Sequence, residues 1–271
     1  MPESVEYVEE KEVVGNCYIG EFYGKFASED HLLLISNDTI VASSSSIGGS
    51  ISEYTIPDGV IRIGNRAFYE RITLEVVNMP NSVKTIGPYA FSKCSNLKTV
   101  NLSTTLEIIS YAAFCHCGNL KNITLPNSFR SFEHSILDGN GAFCTTAITE
   151  IAIPEGVVEI PHHTFTGCAQ LASIYIPEGV KKIGSQAFLG CSSLTTITLP
   201  SSLEVLEGTV FDSTQNLSEV CIMAIVPPTI NGWIFGDKKD VKIKVPSISV
   251  DAYKAADGWN EYAEYIEAGE F

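Results

Sequence analysis

Four cysteines of this 271-residue chain, Cys94, Cys117, Cys168 and Cys191, each stand three residues after a phenylalanine. Thiolates at a fixed spacing are the raw material of a metal site or a disulfide framework. Equivalent positions on neighbouring coils would bring Cα atoms within bridging range, yet side chains on one ladder point the same way. The reading taken is a small buried thiol at a tight corner, with a disulfide between neighbours and a metal site as the other two. Cys115–His116–Cys117 looks like half a zinc site, but no second half follows at ligand spacing. His162–His163 falls in a variable corner before Phe165 and is expected to be exposed. No Ser/His/Asp or Cys/His set stands out, and Gly48–Gly49 lacks the strand–helix context of a phosphate loop. No catalytic residue, metal or cofactor is expected.

What positions these residues is a repeat. Pro57, Pro80, Pro126, Pro154, Pro177, Pro200 and Pro246 mark its units, with Ser103 and Met223 filling the two slots without proline. Neighbouring slots are 23 residues apart, except Pro126 to Pro154, which is 28. Three residues after each slot comes an apolar residue (Val60, Val83, Leu106, Phe129, Val157, Val180, Leu203), and another follows at the sixth (Ile63, Ile86, Ile109, Phe132, Ile160, Ile183, Leu206). A phenylalanine then marks a corner, and each unit closes with two alternating apolar residues such as Val100 and Leu102 or Ile197 and Leu199. Alternation with period two reads as a short strand with one face inside. One coil cannot bury these residues alone; stacked coils bury them against the same positions of their neighbours. The fold class expected is mainly β: a leucine-rich-repeat solenoid of 23-residue coils, with an N-terminal hairpin cap and a short C-terminal helical cap.

The expected boundaries are a tail at 1–20, the hairpin cap at 21–50, the solenoid at 51–246 and the C-terminal cap at 247–271. Leu32–Ile35 and Thr39–Ala42 flank an Asn37–Asp38 turn, which is hairpin chemistry. At the other end Ser247 or Ser249 is placed to cap a short helix, with Val250, Tyr253 and Lys254 facing the last coil and Trp259 and Tyr262 covering the core.

The formal net charge is −15, which argues against nucleic acid and against an anionic membrane surface as partners. Acids gather at both ends, as solvated caps that oppose end-to-end stacking. The sequence carries no transmembrane run, so no direct membrane insertion is expected, and the first sixteen residues lack a leader's apolar core. Either Met1 opens a chain whose leader was trimmed, which would place it at a cell surface or outside the cell, or the protein is made without one. Cys17 has no apolar run before it and is not read as lipidated.

Two surfaces are candidates for contact. The exposed strand face presents Thr99, Asn101, Asn122, Thr124, Ser173, Tyr175, Thr196 and Thr198, short polar side chains with one aromatic. Threonine there also follows from β propensity. The other is the break in period, where about six extra residues enter near 133–140, offering His134, Asp138 and Asn140. Insertions in a repeat map to a loop on one face.

Tyr54–Thr55–Ile56–Pro57, Ile86–Gly87, Ala90–Phe91–Ser92–Lys93–Cys94 and Leu97 resemble the BspA-like leucine-rich repeats of bacterial surface proteins. Val226–Pro227–Pro228–Thr229, Lys244–Val245–Pro246 and the stretch from Ser249 to Trp259 are similar to the closing unit of Bacteroides-type members. The resemblance spans about residues 21–265. It implies surface adhesion, with binding to a host matrix protein or a neighbouring cell surface, and no enzymatic activity; the polar strand face itself reads as a hydrogen-bonding surface for an extended protein or a glycan, with too few aromatics for a strong sugar-stacking site. The alternative is a structural or assembly component, of a surface layer or a bacteriophage particle, with no ligand of its own.

Overall fold

The computed structural model describes residues 50–135, 139–236 and 240–271, together with 28–30, 32–43, 47 and short strands at 7–8, 13–14, 17–18 and 22–23. Two stacks of short parallel strands enclose one core. The front sheet runs through Glu53–Thr55, Val76–Asn78 and Thr99–Asn101, then Glu150–Ala152 and Ser173–Tyr175, then Thr196–Leu199, Glu219–Ile222, Lys242–Pro246 and Ile266–Gly269. Its register advances by 23 residues per coil, as in Val76↔Thr99 and Thr196↔Glu219. The back sheet starts from the hairpin Leu33–Ser36/Thr39–Ser43 and continues through Arg62–Ile63, Thr85–Ile86, Ile108–Ile109 and Ser131–Phe132. Thr39↔Arg62 and Ile40↔Ile63 pair in parallel, so the hairpin's second strand is already in register with the coils. Tyr54 Oη ties this cap to the first coil by donating to Asp30 Oδ2 at 2.6 Å.

The corner of each coil is organised by a column of phenylalanines. Phe68, Phe91, Phe114, Phe143, Phe165, Phe188, Phe211 and Phe235 stack with neighbouring centroids 4.9–5.8 Å apart and planes within 19° of parallel. All are buried, and each contributes roughly 1.5–3 kcal/mol by leaving water. The column is closed edge-on by Tyr262 against Phe235, 5.3 Å away.

The corner is tight because two residues in each 23-residue coil adopt left-handed backbone. Tyr89 and Lys93 do so in one coil (φ 54° and 62°), Ala112 and His116 in the next (φ 53° and 63°). Such conformations cost about 1–2 kcal/mol for a residue with a Cβ. Hydrogen bonds to the following coil offset the cost: Lys93 N–H donates to the Cys115 carbonyl at 2.8 Å. Gly167 and Gly190 occupy the same slot as Lys93 at φ 71° without that cost.

The four repeat cysteines are buried thiols. Each donates back to the preceding coil's phenylalanine carbonyl: Cys94 to Phe68, Cys117 to Phe91 and Cys168 to Phe143 at 3.1 Å, Cys191 to Phe165 at 3.3 Å. Thr214 does the same toward Phe188 at 3.1 Å, so the slot selects a small donor rather than a thiol. In the first coil Arg71 fills it, and its guanidinium donates to the Ser43 carbonyl of the cap at 2.6 Å.

The C-terminal cap is the helix Val250–Ala255, a 3₁₀ segment Trp259–Tyr265 and the strand Ile266–Gly269, which adds to the front sheet and extends it beyond the boundary expected at 246. Trp259 is fully buried, donates to the Pro228 carbonyl at 2.7 Å and meets Tyr253 edge to face at 5.2 Å. Two expectations fail here. Neither helix start has a side-chain cap, and the buried Ser249 hydroxyl has no partner among the described residues. Lys254 is exposed, not packed on the last coil, because it stands about 100° round the helix from the inward-facing Tyr253.

Candidate binding surface

Side chains on the front face point outward wherever their strand neighbours point in. Thr99, Asn101, Asn122, Thr124, Ser173, Tyr175, Thr196 and Thr198 are all exposed. Tyr175 is 58% exposed, with its ring projecting from the strand. The face is knit by side-chain ladders between coils. Asn101 Nδ2 donates to Asn78 Oδ1 at 2.6 Å, and Asn78 Nδ2 reaches Thr55 Oγ1 at 3.2 Å. Asn78 is thereby half-buried, and part of the hydrogen-bonding capacity of Asn101 is already spent within the sheet. Lys98–Glu75 and Lys244–Glu219 bridge coils at 2.8 Å. Exposed pairs of this kind contribute little to stability, about 0–1 kcal/mol.

The second expected element, the insertion, lies with the back sheet, so the structure does not join its residues to the front-face row. His134 is exposed and its ring stands 5.7 Å from that of His162. Asn140 is half-buried, with Oδ1 3.7 Å from the sulfurs of both Cys115 and Cys144. Asp138 falls outside the described residues. Phe129 and Phe132 keep their inward positions and Phe143 re-enters the corner column, as the spacing requires.

Both sheets break at this coil. The back sheet stops at Ser131–Phe132 and restarts at Glu159–Ile160. In the other coils a residue just after the strand donates its N–H backward: Gly87 to Ile63, Ser110 to Ile86, Gly184 to Ile160, at 2.7–2.8 Å. Pro161 holds that slot here and has no N–H to give. In the front sheet the ladder thins to a single bridge, Thr99↔Asn122, before Glu150–Ala152. Where the back sheet parts, a groove of about 550 Å³ opens, lined by Tyr111, Arg130, Phe132, Glu133, His134 and Val158, with Ser131 and Glu159 alongside.

The polar walls of the groove are fixed before any ligand arrives. Ser110 Oγ donates to Glu133 Oε2 at 2.6 Å. Arg130 Nη1 donates to the Asn127 and Phe129 carbonyls at 2.7 and 2.9 Å. Lys182 Nζ lies 3.2 Å from Glu159 and 3.0 Å from Glu207. Burial alone would raise the Glu207 carboxyl, but Lys182, the Ser185 N–H and His162 hold it below the usual range. His162 and His163 are half-buried rather than exposed, and burial lowers the pKa of His163.

Beneath the groove is a feature the sequence reading missed. Cys115 and Cys144 form a disulfide, packed with Ala112 against Tyr89 and Tyr111. A bridge between neighbouring coils therefore exists, one residue after the corner phenylalanine instead of three. The signal was present: Cys144 follows Phe143 as Cys115 follows Phe114. No cluster of metal-ligating side chains occurs among the described residues, and no helix there is long and apolar enough to cross a membrane. Also unforeseen is an apolar row on the turn edge, Ile225, Ile248 and Phe271, each more than half exposed, in a slot held by Gly59, Ser82 or Thr105 in earlier coils.

The family described as BspA type leucine rich repeat region matches residues 39–139 and 138–254, in 6 copies. A leucine rich cell surface protein from Faecalibacterium prausnitzii superposes with a TM-score of 0.55 at 20% identity, over 79% of this chain and 73% of that one. A leucine-rich repeat protein from Bacteroides ovatus gives a TM-score of 0.42 at 24% identity, over 81% and 66%. The leucine rich repeat protein TpLRR of T. pallidum gives 0.44 at 22%, over 90% and 95%. The chain thus spans just under two thirds of the Bacteroides ovatus protein. No curated protein matched.

Proposed function

The chain belongs to the BspA-type leucine-rich-repeat family, and on that premise we propose that it is a non-catalytic, protein-binding chain of a bacterial cell surface. Its contacts are made by the front sheet face and by the insertion at 133–140. The observation that carries this reading is the front face itself: rigid rows of exposed Ser, Thr and Asn around a projecting Tyr175. Tyrosine supplies large contact area at small entropic cost, and short polar neighbours supply adaptable hydrogen bonds. The Faecalibacterium prausnitzii relative, described as a cell surface protein, supports the location. Screening the purified chain against extracellular-matrix proteins and glycans tests the reading. Capture weakened by Tyr175→Ala supports the front face, and capture weakened by shortening 133–140 supports the loop. A folded chain that captures nothing shifts the assignment to a spacer or assembly component.

A further inference from the structure

We infer that the groove between Ser131–Phe132 and Glu159–Ile160 binds a neutral, polyhydroxylated ligand, a short oligosaccharide chain. This rests on the surface-binding role proposed above and names the ligand class for its back-sheet side. Three observations carry it.

The first is size and placement. A groove of about 550 Å³ lies within the roughly 300–1,000 Å³ range of small-ligand sites and is too small to seat a folded partner. It exists because Pro161 ends the ladder and the insertion leaves the coil there, so it is a local departure from an otherwise repetitive surface.

The second is the chemistry of the walls. Tyr111 and the exposed Val158 offer apolar surface to the C–H face of a sugar ring. Arg130, Glu133, His134 and Glu159 stand around them. Planar carboxylate and guanidinium groups bond two neighbouring hydroxyls at once. Both signs of charge are present, and Glu159 shares Lys182 with Glu207. The site therefore offers donors and acceptors with a small acidic excess, which disfavours an anionic ligand. An extended peptide is the poorer fit, because strand addition needs an edge offering both N–H and C=O groups and Pro161 removes a donor.

The third is rigidity. Glu133 is held by Ser110, Arg130 by two backbone carbonyls, and Tyr111 rests on the Cys115–Cys144 disulfide. Polar groups fixed in advance lose little entropy on binding.

The test is affinity electrophoresis of the full chain in gels containing soluble cello-, malto- or chito-oligosaccharide polymers. Tyr111→Ala, Glu133→Gln and Tyr175→Ala run beside the wild type, and thermal melting reports the folding of each. Retardation by at least one polymer, lost in folded Glu133→Gln and in Tyr111→Ala but kept in Tyr175→Ala, is the expected result. Glu133→Gln sits on an exposed side chain and keeps the test decisive if Tyr111→Ala fails to fold. No retardation by any polymer, or retardation kept in Glu133→Gln, overturns the inference. The same proteins are screened against matrix proteins. Capture there through Tyr175 without any retardation removes the oligosaccharide assignment and leaves the protein-binding role standing.

Discussion

Cys115 and Cys144 occupy the same slot of neighbouring coils and are joined across 29 residues of sequence, with Cα atoms 4.6 Å apart. They flank the insertion and join two coils whose front strands do not pair, while their back strands still do, Ile108 with Ser131 and Ile109 with Phe132. A covalent bond and the Phe114–Phe143 stack add to the backbone bonds that remain between these coils, such as Phe114 N–H to the Ala142 carbonyl at 2.8 Å.

Removing this bond should therefore loosen the insertion coil. Closing a loop of this length contributes about 3–4 kcal/mol in the chain-entropy account. The Cys115→Ser/Cys144→Ser variant is expected to lose about 2–4 kcal/mol in urea unfolding, and amide exchange should rise first around residues 122–150. An unchanged unfolding midpoint would show that the bond is not formed or not needed.

The corner column should be intolerant of truncation. Phe188 lies between Phe165 and Phe211, stacked on both at 5.6 and 5.7 Å. Phe188→Ala is expected to cost about 3–5 kcal/mol, read from the denaturant midpoint. A loss below about 1 kcal/mol would contradict the burial assigned to it.

Alkaline pH should destabilise the fold through the corner thiols. Burial pushes Cys168 up to about 11, and burial likewise holds Cys117 and Cys191 well above the usual thiol range. Between the unfolded thiol value near 9 and the folded value, the folded chain keeps a proton that the unfolded chain releases. The stabilisation is thus complete below about pH 9 and declines as pH rises through about 11. Urea midpoints at about pH 8 and about pH 10.5 should differ, and Cys168→Ala should reduce the difference. Identical pH dependence in that variant would contradict this.

Removing residues 247–271 should open the end of the core. That segment buries Tyr253, Trp259 and Ile266 and pairs with the strand Lys242–Pro246. The truncated chain is expected to aggregate, as seen by light scattering; a folded, monomeric product would sink the cap assignment.

Much of the fold was legible because a solenoid repeats its instructions. Phenylalanines recurring in one slot, such as Phe91, Phe114 and Phe188, define one buried column more firmly than any single residue can. What the slot demanded beyond size was not legible: the backward hydrogen bond that makes Cys94 and Thr214 equivalent depends on a carbonyl in the preceding coil. The candidate surface was half legible. Alternation placed Tyr175 and its neighbours outside, but side-chain ladders such as Asn101–Asn78 come from contacts between coils. The groove escaped because it arises from what Pro161 lacks. A proline in a slot otherwise held by residues with an N–H, such as Gly64, Gly87, Ser110, Glu133 and Gly184, was the available sign. The strand Ile266–Gly269 escaped because its alternation covers only four residues after the last marked slot.

The most direct test of the protein-binding role is surface plasmon resonance of the immobilised chain against a panel of purified extracellular-matrix proteins. Wild type, Tyr175→Ala and Thr198→Lys are compared at physiological salt. A central aromatic contact of this kind is worth about 2 kcal/mol or more, so the account expects at least one matrix protein to bind and Tyr175→Ala to weaken it roughly tenfold or more. No binding by the folded wild type, or equal binding by all three proteins, would contradict it.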